Sequence, residues 1–343
     1  MADKTPVTVL TGYLGAGKTT LLNRILTGDH GKRYAVIVNE FGEIGIDNDL
    51  IVDVDEELFE VNNGCVCCTV RGDLMRILTG LFKRKGGFDG IIVETTGLAD
   101  PAPVAQTFFF DEEVAARTRL DAIVTVVDAA HVEAQLTDSA EAQNQVAFAD
   151  VIVLNKLDAV SADDADRIEG RLRALNGAAR VVRTERAAAP LEALLDIGAF
   201  DLDRIAAMAP DFLGESHDHG LDHGHDHGRG HDHGHDRGHA HEPHYAGIDT
   251  VSLRANRPLS EARFNGWIGA LTQAKGQDIL RCKGILDMAG ADERFVFHGV
   301  HMMLEGGYHG AWPAGQARSS RFVFIGRDLD RAALEEGFAA CVA

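Results

Sequence analysis

The chain has 343 residues, of which 45% are hydrophobic and 25% charged, with a formal net charge of −20. That length accommodates two domains, and so large an acid excess sets up a field that repels nucleic acid, which is excluded as a partner. No run of 18 apolar residues is present and the opening MADKTPVTVL carries no signal pattern, so no membrane partner is expected and a cytoplasmic location is.

The first predicted strand, Val7 to Leu10, runs into Gly12 to Thr19, GYLGAGKT, which fits G-x-x-x-x-G-K-[ST]. Helical spacing follows from Thr20 to Leu26. Strand, glycine loop and helix together form a phosphate cradle: backbone N–H groups turn inward and the helix start adds partial positive charge. Gly12, Gly15, Ala16, Gly17, Lys18, Thr19 and Thr20 are the candidate nucleotide-binding residues. Lys18 is expected on the β- and γ-phosphates, and Thr19 on Mg²⁺.

The run Tyr34 to Asn39 reads as a second strand leading into an acidic, glycine-containing loop with Glu40, Glu43 and Asp47. Acids beside a nucleotide site suit Mg²⁺, and Asp47 is the candidate; a solvated loop is the alternative. Next come Cys65, Cys67 and Cys68 in a C-x-C-C cluster. Thiolates this dense suit Zn²⁺ or another thiophilic ion such as Co²⁺, whereas buried structural thiols or a redox pair are the rivals. Three thiolates leave a position open, and Glu43 or His131 are candidate extra ligands. Helical candidates lie at 70–84, 101–109, 139–148 and 161–175, between apolar runs at 88–94, 120–127, 151–154 and 179–182. Such alternation predicts a parallel sheet covered on both faces, with ligands at the carboxyl ends of its strands.

Glu94, closing the 88–94 run before Thr95-Thr96-Gly97, follows Walker B logic and joins Lys18 and Thr19 as the catalytic candidates. His131 follows the end of the next run and is either a ligand or a surface histidine. Asn155-Lys156-Leu157-Asp158 gives N-K-x-D. Asp158 can accept from guanine N1–H and the exocyclic amine, and adenine would leave it unpaired, so GTP and GDP are the expected nucleotides. The Lys156 stem can cover the base, and Asn155 can tie its loop to the phosphate loop.

GYLGAGKTT, NEFGEIGID, NGCVCC, ETTGLADP and NKLD occur in that order. In these the chain resembles the CobW-like metallochaperone GTPases, relatives of UreG and HypB. The resemblance implies a GTPase that moves a transition metal, often zinc, to a client metalloprotein. Cobalt-linked and nitrile-hydratase-linked members leave the cargo open, and a metal- or GTP-dependent homodimer is also left open. No residue declares itself as the general base, so slow intrinsic turnover is expected.

Residues 214–244 hold eleven of the sixteen histidines, alternating with Asp and Gly. Almost no apolar content remains to build a core, so a metal-collecting linker or a plain spacer is expected. A metal buffer built on this linker is the rival reading from another class. Apolar runs resume at 248–253, 279–288, 295–301 and 321–325, with helical stretches at 260–275 and 330–341. The predicted fold class is therefore α/β: a P-loop GTPase domain with a helix-flanked parallel sheet (1–212), a His-rich linker (213–245), and a small α/β C-terminal domain with an antiparallel sheet (246–343). Cys282 is expected in the core, and His298, His301 and His309 are either a second site or structured surface.

Overall fold

The computed structural model describes residues 4–39, 58–61, 69–83, 87–200, 247–313, 315 and 317–343. Among these, seven strands form one sheet: β1 (Thr5–Gly12), β2 (Tyr34–Asn39), β3 (Leu58–Val61), β4 (Gly90–Glu94), β5 (Thr118–Asp128), β6 (Val151–Asn155) and β7 (Arg180–Arg183). Their order is β3-β2-β4-β1-β5-β6-β7, and every pairing is parallel. The reason is in the sequence: β4 and β6 are buried throughout, which demands cover on both faces. Helices α1 (Lys18–Thr27), α2 (Thr69–Phe82), α3 (Ala102–Phe110), α4 (Glu112–Arg117), α5 (Val132–Asp138), α6 (Ala140–Phe148) and α7 (Ala162–Leu175) connect the strands.

Several starts are set by local chemistry. Asp111 accepts from Glu113 N and Val114 N to cap α4, Ser139 caps α6 through Ala142 N, and Ser161 caps α7 through Asp164 N. Elements α4, α5 and β3 were not anticipated: helices of six and seven residues give a 3.6-residue period too few repeats to register, and β3, LFEV, lacks the β-branched run that marks the other short strands.

The second sheet is antiparallel, ordered β11-β10-β9-β12-β8. Its strands are β8 (Ile248–Ala255), β9 (Ile279–Leu286), β10 (Glu293–Val300), β11 (Met303–Ala311) and β12 (Ser320–Arg327). Strand β11, MLEGGYHGA, also escaped the sequence reading, because three glycines in nine residues erase the β signal. Helices α8 (Glu261–Lys275) and α9 (Arg331–Ala340) accompany the sheet, with Ser260 capping α8 and Asp330 capping α9.

Alternation along these strands divides the side chains between two cores. Phe322 and Phe324 pack with Phe264, Trp267 and Phe338 of the helices. Val323, Ile325, Leu280 and Val300 instead join the core of the parallel sheet. The two sheets are thus packed together. At their junction Arg281 and Lys283, successive inward positions of β9, both meet the buried Asp150, Lys283 at 2.6 Å. Cys282, between them, points into the aromatic core as expected, and burial pushes its thiol up to about 12.

Candidate nucleotide and metal site

Strand register collects the polar candidates at one edge. Leu10 pairs with Glu94, Gly12 with Val126, and Asp128 with Asn155, so β1, β4, β5 and β6 end together. This is the carboxyl edge, where open α/β sheets bind ligands.

The glycine loop turns between β1 and α1. A Cβ on Gly12 would lie 2.2 Å from Val126 O, and Gly12, Gly15 and Gly17 have φ of +141°, +74° and +109°. Only glycine takes such angles at no cost. Ala16 is fully buried, and its N–H donates to Tyr13 O at 3.2 Å. Lys18 Nζ donates to Gly12 O at 2.9 Å, curling over the loop it is expected to serve. Thr19 Oγ1 donates to Glu94 Oε1 at 3.3 Å, which brings the proposed Mg²⁺ hydroxyl and the Walker B acid together across 75 residues. Thr20 sits exposed in the first turn of α1.

Beyond Glu94 the chain stays tied to the loop. Thr95 N donates to Leu10 O, and Thr95 Oγ1 to Thr11 Oγ1 at 2.8 Å. A Cβ on Gly97 would lie 2.7 Å from Leu14 N, so this segment and the glycine loop are in van der Waals contact. Thr96 Oγ1 is buried with no hydrogen-bond partner among the described residues.

The base side is equally specific. Asn155 Nδ2 donates to Ala16 O at 3.0 Å, which is the tie the sequence suggested. Its Oδ1 accepts from Thr184 Oγ1 at 3.2 Å and Ala187 N at 2.8 Å. Lys156 takes a left-handed conformation, φ 62°, and its Nζ donates to Asp128 Oδ2 at 2.8 Å. Asp158 lies exposed on the following 3-10 turn.

Two features here were missed. Asp128 is a buried hub that accepts from Lys156, His131 and Ala130 N. Burial alone would raise its carboxyl, but hydrogen bonds from Lys156 and His131 win and hold it below the ordinary range. The turn Thr184 to Ala187 is tied to the N-K-x-D loop through Asn155, with positive φ at Arg186 and Ala187. Its signal was available: a polar T-E-R run directly after a strand on the ligand edge.

His131 Nδ1 lies 2.9 Å from Asp128 Oδ2 at the start of α5, so His131 shares that carboxylate with Lys156 of the N-K-x-D loop. Glu43, Asp47, Cys65, Cys67, Cys68 and the histidine-rich segment lie outside the described residues. The strand ends that lead to the first two groups are described: Asn39 pairs with Val61 at the ligand edge. Among the described residues no group of three or more His, Cys, Asp or Glu is placed to hold a metal. Of the two readings left open for His298, His301 and His309, a second metal site finds no support among the described residues. Buried His298 faces Glu305 and Phe200, and His301 packs on Phe148. No helix among the described residues is long and apolar enough to cross a membrane.

Comparison with known proteins agrees with this geometry. Residues 6–183 match the CobW/HypB/UreG nucleotide-binding domain, and residues 248–342 the cobalamin synthesis protein cobW C-terminal domain. The chain is 34% identical to the zinc chaperone CobW of Pseudomonas aeruginosa, over 96% of this chain and 90% of that protein. It is 32% identical to the zinc chaperone YjiA of Escherichia coli K12, over 97% of each. The crystal structure of Zn(II)-bound YjiA GTPase from E. coli superposes with a TM-score of 0.77 at 28% identity, covering 99% of this chain and all of that one. The chain therefore belongs to the CobW/HypB/UreG family and is a GTPase.

Proposed function

We propose that this GTPase is a metallochaperone that binds zinc at Cys65, Cys67 and Cys68 and passes it to a client metalloprotein under GTP control. The observation that carries this is strand register. Val38 pairs with Glu94 and Asn39 with Val61. The chain therefore leaves for the acidic segment and for the thiolate segment from the same edge that presents Glu94. The zinc-chaperone names of the relatives add support for the choice of metal.

The residues have distinct tasks. Lys18 and the N–H groups of the glycine loop bind the β- and γ-phosphates. Asn155 fixes the base loop against the phosphate loop, Lys156 flanks the base, and Asp158 reads guanine. Thr19 and Glu94 offer oxygen donors that fit a hard cation, and Asp47 completes the proposed Mg²⁺ set. Mg²⁺ there would neutralise charge on the phosphates. The segment after Glu94 addresses the γ-phosphate, and the unpartnered Thr96 hydroxyl suits that task. Glu43 and His131 are candidate fourth ligands to zinc; Asp128 engages His131 Nδ1 and leaves Nε2 as the nitrogen that would bind. Exposed Leu14 and Leu98 beside the glycine loop fit a GTP-dependent homodimer or a docked client. The His-rich segment would collect metal for the thiolate site.

The test is zinc-stimulated GTPase activity of the wild type against Cys67→Ala. Zinc should raise turnover of the wild type and leave Cys67→Ala at its basal rate. Stimulation that survives the substitution refutes the thiolate assignment. Cobalt as the cargo is the second reading, since Co²⁺ accepts the same ligands.

A further inference from the structure

Helix α6 carries two adjacent buried amides that nucleotide binding does not use. Gln145 Nε2 donates to Gly97 O and to Ala99 O, both at 3.1 Å. Asn144 Nδ2 donates to Asp100 Oδ2 at 3.2 Å, while Asp100 Oδ1 accepts from Ala102 N, the first residue of α3, at 2.9 Å. The loop from Gly97 to Asp100 is thus held at three oxygens by one turn of one helix. The same Asn144 also faces the second domain: its Oδ1 accepts from Arg327 NH2 at 2.6 Å.

The other groups around this point come from both domains. Arg327 ends β12, and its backbone N–H donates to Asp278 O. His301, at the turn after β10, packs against Phe148 of α6 with the rings tilted at 48°, and feels both Asp100 and Arg327. Burial holds the His301 ring below its ordinary value. Beyond the far end of α6, Asn176 Nδ2 donates to Val146, Ala147 and Ala149 carbonyls, and Arg281 donates to Phe148 O. Helix α6 is thereby fixed to the antiparallel sheet at one end and to the loop after Glu94 along one face.

We propose that Asn144 and Gln145 are positioning residues for GTP hydrolysis, and that Arg327 makes the C-terminal sheet part of the catalytic geometry. The inference rests on the reading that the segment after Glu94 addresses the γ-phosphate. Gln145 sets the Gly97–Leu98 and Ala99–Asp100 peptide planes, and so fixes how the segment after Glu94 lies against the glycine loop. Asn144 transmits the position of Arg327 to the other end of the same loop. A client or a second copy bound to the C-terminal domain can then alter turnover without touching the nucleotide.

The test is steady-state GTP hydrolysis by the full-length chain carrying Gln145→Met, Asn144→Asp, Arg327→Ala or Arg327→Lys, with Glu94→Gln as the control. Asn144→Asp is nearly isosteric and keeps the acceptor for Arg327 while losing the donor to Asp100. Leaving buried carbonyls without a donor is expected to lower kcat about tenfold in Gln145→Met, with KM for GTP within about twofold. Asn144→Asp and Arg327→Ala should each lower kcat severalfold, and their double variant should be no slower than the worse single one. Arg327→Lys should recover most of the rate. Wild-type kcat in Asn144→Asp and Arg327→Ala, whatever their melting temperatures, overturns the proposal, as do independent, multiplicative losses in the double variant. If Arg327→Ala does not fold, Asn144→Asp against Gln145→Met decides by the same criterion. Wild-type kcat in Glu94→Gln would instead remove the underlying reading of the γ-phosphate side, so the two failures are distinguishable.

Discussion

Asn155 shows how much one side chain can organise. Its amide donates to the phosphate loop and accepts from the turn at Thr184 and Ala187, so base and phosphate ends of the site are one hydrogen-bonded unit. Residue type and spacing pointed to the first of these bonds. The second needed β7 to be placed beside β6, which no local pattern encodes. Asp128 was missed for the same reason: an acid at a strand end looks like a turn residue until Lys156 and His131 converge on it. At the domain junction Lys283 poses a sharper question. Burial, reinforced by Arg281, pushes its ammonium down to about 8 from 10.5, against the pull of Asp150. Between those values the unfolded chain binds a proton that the folded chain has released, so the Lys283 contribution to stability rises with pH. Urea unfolding of wild type and Lys283→Met at pH 7.5 and 9.5 measures this. The stability difference should move in favour of the wild type at the higher pH.

At the scale of elements, the decisive geometry is β1 running into the glycine loop between β4 and β5. Gly12 lies against β5 so closely that a methyl group would collide with Val126 O, in a backbone conformation that L side chains avoid. Gly12→Ala should therefore cost at least about 2 kcal/mol of stability and abolish measurable GDP binding, read by urea unfolding and calorimetry. Wild-type affinity in that variant would mean that the loop has another way to turn. Long elements with strong patterns, such as β5 and α7, were legible from sequence to within one or two residues. The short strands β4, β6 and β7 were legible as apolar runs, whereas α4 and β3 were not, because they owe their existence to neighbours: an Asp111 cap in one case, pairing with β2 in the other. Strand β11 pairs with β10 despite its glycines, which illustrates tertiary pairing overriding weak propensity.

At the scale of the molecule, the antiparallel sheet is not an appended module. It shares its core with the GTPase domain, and Asp150 binds both Arg281 and Lys283 across the junction. The strands that lead to the acidic and thiolate segments end on the edge that presents Glu94, so under the proposed function nucleotide state and metal affinity are expected to be thermodynamically linked. Linkage is reciprocal: whatever GTP does to zinc binding, zinc must do to GTP binding by the same factor. The most direct test is competition titration of zinc against a chromophoric chelator, with the full-length chain bound to GDP or to a non-hydrolysable GTP analogue. Zinc affinities should differ by about tenfold or more between the two states, a difference that Cys67→Ala removes. Equal affinities in the two nucleotide states would contradict GTP-controlled metal transfer.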